Sequence, residues 1–252
     1  MGIPDKALVK KRFSRRLNTY SGAAGIQRFM AEKLTAMIFS RQREFRRILE
    51  IGAGTGILSG LLDDRLVWEE RMVNDLADDC APFHANRRNT IFLSGDAETA
   101  DWGDEPFDLI CSNAAFQWLA DLPAFLEKLR KSLNPGGLLA FTTFGPDNLK
   151  ELTFLTGNSL SYYPAGQISG WLENSGFAVQ EAFAENHVRL FDDPLDILKQ
   201  MRQTGVTASS DKSWWTPRRL AVFRKNYRKC FGTPGGKVRL NWNPVYILAR
   251  KA

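Results

Sequence analysis

The sequence predicts an α/β protein: one mainly parallel, doubly wound sheet with helices on both faces. Two observations carry this. From Arg47 onward, short apolar runs alternate with amphipathic stretches, and the first run ends in clustered glycines where a strand can turn sharply into a helix. The length of 252 residues, with 44% hydrophobic and 25% charged side chains, suits one well-buried domain with some elaboration and is short for two.

The elements follow in order. Residues 5–39 read as helical, with Phe13, Leu17, Tyr20, Ile26, Phe29, Met30, Leu34, Met37 and Ile38 at helical spacing and a turn-rich break at 18–25. Residues 48–51 form the first strand, 57–63 a helix, 71–75 the second strand, 77–86 a helix, and 90–94 and 107–112 the third and fourth strands. An amphipathic helix over 122–133 is closed by Asn134-Pro135-Gly136-Gly137, and the fifth strand covers 138–144. Beyond Pro146 the pattern loosens. A helix over 165–175 precedes an extended run at 177–190, residues 194–230 look mostly helical, and 237–251 is one final strand. The late strands are expected to pair antiparallel at the sheet edge, with 191–235 inserted as a helical cap.

Composition excludes several functions. Cys80, Cys111 and Cys230 form neither a CxxC zinc pattern nor a disulfide framework, which fits a reducing cytoplasm. Two histidines, His84 and His187, make a His-based metal site or a Ser-His-Asp triad poor expectations, and no metal is predicted. No apolar run approaches a membrane span, and the basic N-terminus lacks the apolar core of a signal peptide. Residues 1–47 hold 12 basic and 3 acidic residues, 48–185 hold 8 and 21, and 186–252 hold 14 and 4. The basic ends are either solvated helix faces or two arms converging on an acidic partner. No nucleic-acid-binding signature accompanies them.

The chemistry starts at Glu50-Ile51-Gly52-Ala53-Gly54-Thr55-Gly56. Glycines let the backbone turn and approach a ligand without Cβ clashes. A dinucleotide fingerprint would place its third glycine at position 57, where this chain has Ile57. Glu50 would repel a pyrophosphate and welcome an ammonium, so the loop favours S-adenosylmethionine (SAM) over NAD. Asp75, followed by Leu76, ends the second strand, where an acid can accept from both ribose hydroxyls. Asp96 can accept from the adenine amine while the backbone N–H of Ala97 meets a ring nitrogen. After the fourth strand, Asn113, Gln117 and Trp118 offer amides and an aromatic wall where a methyl acceptor would meet SAM. His and Lys are missing from this stretch, and O-methylation of an alcohol or phenol normally needs a base. A carboxylate is already ionised and needs only orientation and desolvation.

Over residues 45–145 the chain resembles the class I SAM-dependent methyltransferases. That resemblance implies a Rossmann-like, seven-stranded, mostly parallel sheet whose last strand is antiparallel. It also implies SAM binding by Glu50, Gly52, Gly54, Gly56, Asp75, Leu76, Asp96, Ala97 and Asn113. Across nearly its full length the chain is similar to the malonyl-acyl-carrier-protein O-methyltransferases of biotin synthesis. Besides the loop, the matching segments include Phe13-Ser14-Arg15 through Tyr20, Gln27, Met30-Ala31-Glu32, 95–98, 112–118, 142–149, Thr204-Gly205-Val206 and Asn243-Pro244-Val245-Tyr246. This implies one domain over 1–252, with an N-terminal helical lid at 1–44, a SAM-binding core at 45–145 and a substrate-side half at 146–252. The implied acceptor is the free carboxyl of a malonyl thioester on acyl carrier protein. Tyr20, Asn113 and Trp118 are the candidates to position it, and Arg15, Arg16 and Tyr20 to close over SAM or hold the carboxylate. Arg218, Arg219, Arg224, Lys225, Arg228 and Lys229 are the candidates to dock the acidic carrier. The competing readings are a methyltransferase for another small carboxylate such as trans-aconitate, a quinone-pathway C-methyltransferase, and a non-catalytic SAM-fold interaction protein.

Overall fold

The computed structural model describes residues 4–204 and 215–252. Helices α1 (Lys6–Ser14), α2 (Leu17–Ala23) and α3 (Gly25–Arg41) precede the sheet. The break expected at 18–25 is therefore mostly helix, and the chain turns at Arg15–Arg16 and Ala24 instead. The poor helix formers in α2 each cost only some tenths of a kcal/mol, roughly up to 1 for Gly22. Packing of Leu17 against Ala77 and Cys80 offsets that.

The core comprises β1 (Glu44–Ile51), α4 (Ile57–Asp63), β2 (Val67–Asp75), β3 (Thr90–Ser94), β4 (Phe107–Asn113), α5 (Leu122–Lys131) and β5 (Leu133–Phe144). Strand β1 begins four residues before the apolar run because its charged residues find partners. The Arg47 guanidinium lies 4.7 Å from the Phe107 ring and pairs with Glu70. The helix expected over 77–86 is only a 3-10 turn, Asp78–Phe83, with Pro82 inside it. Proline lacks the N–H that a continuing helix would need.

The second half holds α6 (Lys150–Thr156), α7 (Ala165–Asn174), β6 (Phe177–Ala184), β7 (His187–Phe191), α8 (Pro194–Gln203), α9 (Pro217–Phe231), β8 (Val238–Trp242) and β9 (Pro244–Lys251). The main sheet has the order β3-β2-β1-β4-β5-β9-β6. Strands β1–β5 are parallel, and β9 runs antiparallel between β5 and β6. The chain winds outward through β2 and β3, then returns to β4 on the other side of β1. Open α/β sheets bind ligands at such a reversal, beyond the carboxyl ends of the strands.

The extended runs expected at 177–190 and 237–251 each divide in two. At the division, the Asn243 side chain donates to the Glu185 carbonyl (3.0 Å) and to Asn186 Oδ1 (3.2 Å). Its backbone N–H donates to Asn148 Oδ1. These bonds replace ladder pairing, so β7 and β8 leave the sheet and pair with each other. Helices α8 and α9 lie within the expected cap and join the main core through Ile197, Met201, Phe223 and Tyr227. Gly205 and Val206 lie outside the described residues. Alternation sorts the central strands between two layers: Ile48, Tyr246 and Leu248 pack with α3, while Leu49, Val245 and Ile247 pack with α5 and α7. No helix among the described residues is long and apolar enough to cross a membrane.

Candidate active site

A cleft opens over the carboxyl ends of β3, β2, β1 and β4, between the sheet and α1–α3, and reaches Phe144 of β5. Its floor is the β1–α4 loop. Gly52, Gly54 and Gly56 have φ of 68°, 53° and 80°, in the left-handed region. A Cβ on Gly52 would stand 2.3 Å from the Ala115 Cβ, so this position excludes any side chain twice over. The loop hangs from β2: Gly52 and Ala53 both donate to the Asn74 carbonyl.

Asp75 is buried and holds two backbone segments in place. It accepts from the Gly54 N–H (2.8 Å) and the Ala77 N–H (2.9 Å). Burial pushes its carboxyl above the ordinary range, against the opposing pull of those N–H groups. Asp75 also lines the cleft, so its carboxylate borders the space a ligand's hydroxyls would occupy.

Glu50 is also buried. One oxygen accepts from the Ser59 hydroxyl at 2.7 Å, and the other, Oε1, has no partner. Burial raises its pKa to about 7, opposed by Arg71, by the Ser59 hydrogen bond and by Arg87. The fully buried Arg71 is itself held by Asp63 (2.9 Å), the Ser59 carbonyl and Thr90. An orphaned carboxylate oxygen beside a three-glycine cradle fits a ligand that brings an ammonium group and no phosphate.

Asp96 lies at the far end, beyond β3, and is already engaged. Lys6 of α1 donates to both its oxygens (2.7 and 2.6 Å) and also to Glu98. Leu76 and Ala97 line the cleft between Asp75 and Asp96. The sequence reading did not single out Lys6 or Val9 and had no local signal for them, since 90 residues separate Lys6 from Asp96. It also missed Arg71 and Ser59, which lie outside the glycine pattern.

At the other end, Asn113 closes β4. Its amide donates to the Gln27 carbonyl (3.0 Å), and its Oδ1 accepts from Thr142 (2.7 Å). Ala114 follows at φ 52°, a strained value for a residue with a Cβ. It turns the chain into the Phe116–Trp118 turn. Gln117 donates to the Ala114 carbonyl at 2.6 Å. Trp118 is half-buried and lines the cleft.

The structure separates the other expected positioning residues. Tyr20 lines the cleft, but beside Asp75 and Cys80; burial and then these neighbours push its phenol above the ordinary value. Arg15 and Arg16 are exposed at the α1–α2 junction and do not line the cleft, because the helix turn there points them outward. The six basic residues of α9 also divide. Arg224 and Arg228 both pair with Asp193, the N-cap of α8. Arg218 and Arg219 instead line a groove with Leu155 and Val222, and Lys225 and Lys229 are exposed.

Fold, glycine cradle and cleft define a class I methyltransferase, and the chain belongs to the methyltransferase-domain family, whose match covers residues 23–182. Its relatives are narrower in kind. It is 37% identical to the malonyl-[acyl-carrier protein] O-methyltransferase of Chlorobium luteolum, over 99% of this chain and 97% of that one. The Porphyromonas gingivalis protein of the same name is 35% identical over 98% and 96%. Among solved structures, the Haloferax volcanii methyltransferase in complex with its Trm112 activator superposes with a TM-score of 0.65 at 17% identity. That match covers 96% of this chain and 97% of the other, and at this identity it speaks to the fold alone.

Proposed function

We propose that this chain transfers the methyl group of SAM to the free carboxyl of a malonyl thioester carried on acyl carrier protein, the priming step for the pimeloyl chain of biotin. The observation that carries this reading is full-length similarity to malonyl-[acyl-carrier protein] O-methyltransferases, at 37% identity with almost nothing left over in either chain. The cleft supports it chemically. Among the described residues no histidine lines it, and the two lysines that do, Lys6 and Lys10, sit at the donor end, paired with Asp96, Glu98 and Asp78. The carboxylates that line the cleft, Glu50, Asp75 and Asp96, are the groups this reading gives to SAM, and a carboxylate acceptor needs no base.

Bound SAM would supply an electrophilic sulfonium methyl that a carboxylate oxygen could accept, the sulfur departing as the neutral thioether. In this reading the residues divide the remaining work. Glu50 accepts the ammonium, Gly52, Gly54 and Gly56 admit the methionine backbone, and Asp75 takes the ribose hydroxyls. Leu76 packs at the ribose side, and Asp96 and Ala97 meet the adenine. Asn113 and Trp118 shape the acceptor wall, Tyr20 closes the donor side, and the apolar surround excludes water, so orientation does most of the catalysis. Residues 1–44 serve as the lid, 45–145 as the SAM-binding core and 146–252 as the substrate side.

The carrier would dock on the exposed basic face of α9 through Arg218, Arg219, Lys225 and Lys229. Arg224 and Arg228 brace α8 instead. The free thiols of Cys80, Cys111 and Cys230 suit a reducing cytoplasm. The test is methyl transfer from labelled SAM to malonyl-carrier protein, malonyl-CoA, trans-aconitate and a quinone precursor, side by side. Activity confined to the last two would sink the reading, and failure to bind SAM in calorimetry would leave a non-catalytic protein.

A further inference from the structure

Among the described residues, four amide side chains line the cleft: Gln27, Asn74, Asn113 and Gln117. Three are committed within the protein. Asn74 donates to the carbonyls of Leu93 and Gly95. Asn113 bridges Gln27 and Thr142, and Gln117 bridges Ala114 and Thr143. Gln27 differs. It is 5% exposed, and its Oε1 is buried with no hydrogen-bond partner. A buried amide left unsatisfied is costly, so such a group in a cleft points to a ligand.

Its place selects which ligand. The backbone carbonyl of Gln27 accepts from the Asn113 side chain at the end of β4, next to the Phe116–Trp118 turn. The ammonium, ribose and adenine partners proposed above lie on β1, β2 and β3, so Gln27 stands on the acceptor side. We infer that Gln27 is the residue that hydrogen-bonds the acceptor carboxylate, its NH2 donating to one oxygen while the other meets the methyl. A half-turn of the amide exchanges its two ends, so either position can present the NH2. The inference rests on the malonyl-carrier reading and deepens it.

The full chain would be assayed with malonyl-carrier protein, beside SAM titration by calorimetry and a thermal melt. Gln27→Met should lower kcat/KM about 10- to 100-fold, the worth of a hydrogen bond to a charged group, mainly through KM. Near-isosteric Gln27→Glu should be worse, because it sets a second carboxylate against the first. Both should bind SAM within about threefold of wild type, because the backbone carbonyl that holds Asn113 survives each substitution. Unchanged kcat/KM in both variants overturns the inference, as does weakened SAM binding with an unchanged carrier KM. An inactive wild type sinks the substrate reading and takes the inference with it, whereas an active wild type indifferent to Gln27 sinks the inference alone.

Discussion

The donor and acceptor ends of the cleft are built differently. At the donor end, Glu50 to Gly56, Asp75 and Asp96 come from three neighbouring parallel strands. The glycine loop and Asp75 are locked to backbone: the Asn74 carbonyl holds the loop, and Asp75 holds the N–H groups of Gly54 and Ala77. At the acceptor end, Gln27, Asn113, Thr142, Phe144 and Thr204 converge from four distant stretches, and the links are side-chain amides and hydroxyls. Rigid backbone suits a cofactor that never changes. A surface of separately replaceable side chains suits a substrate that differs between enzymes of one fold.

The largest expected break is at the donor end. Gly52→Val forces a branched side chain onto a φ of 68° and into Ala115. We expect a loss of roughly 2–4 kcal/mol in denaturant unfolding and no SAM binding detectable by calorimetry. Asp75→Asn keeps the shape but offers one acceptor where two N–H groups are held. It should weaken SAM on the order of 10- to 100-fold, a hydrogen-bonded charge being worth about 1.5–3 kcal/mol. A milder effect than at Gln27 would contradict the contrast between locked and replaceable ends.

Glu50 gives a pH test of the same contrast. Burial holds its carboxyl at about 7 against an ordinary 4.5. The folded, ligand-free protein therefore binds this proton more tightly than the unfolded chain. The associated stability is present at low pH and declines as pH rises between those two values. An ammonium ligand favours the ionised form, so SAM affinity should increase as pH rises toward about 7, with proton release on binding. Calorimetry in two buffers of different ionisation enthalpy reads that release directly, and Glu50→Gln should abolish both trends.

The smaller effects sharpen the proposed acceptor side and the contacts of α1. Reversing Arg218, Lys225 and Lys229 to Glu should raise the KM for malonyl-carrier protein several-fold and leave malonyl-CoA untouched, with the difference fading at high salt. Equal effects on both acceptors would remove α9 as the docking face. Lys6→Met should cost the least: the ion pairs to Asp96 and Glu98 are partly exposed, worth about 1 kcal/mol or less. It should show as a two- to threefold faster release of SAM in stopped-flow.

Legibility followed locality. Helix α4 and strand β3 occupy the ranges their apolar patterns predict, 57–63 and 90–94. Strand β1 ran past its apolar run because Arg47 finds Phe107 and Glu70, which no window of sequence shows. The short α6 was missed altogether. It opens after Leu149 at φ 53° and ends at Gly157, with one buried residue, Glu151. That residue is an acid accepting from the Asn241 N–H 90 positions away.

The sequence by itself determined the doubly wound sheet, the glycine turn and the acids that end its strands, because strand alternation and turn chemistry depend on near neighbours. Tertiary structure alone decided that β9 inserts between β5 and β6, that Lys6 reaches Asp96 and that Arg15 and Arg16 face away from the cleft. It also singled out Gln27 as the cleft amide without a partner. Hydrogen-bond satisfaction is a property of the whole packed chain, and a side chain's freedom is known only when every possible partner has been placed.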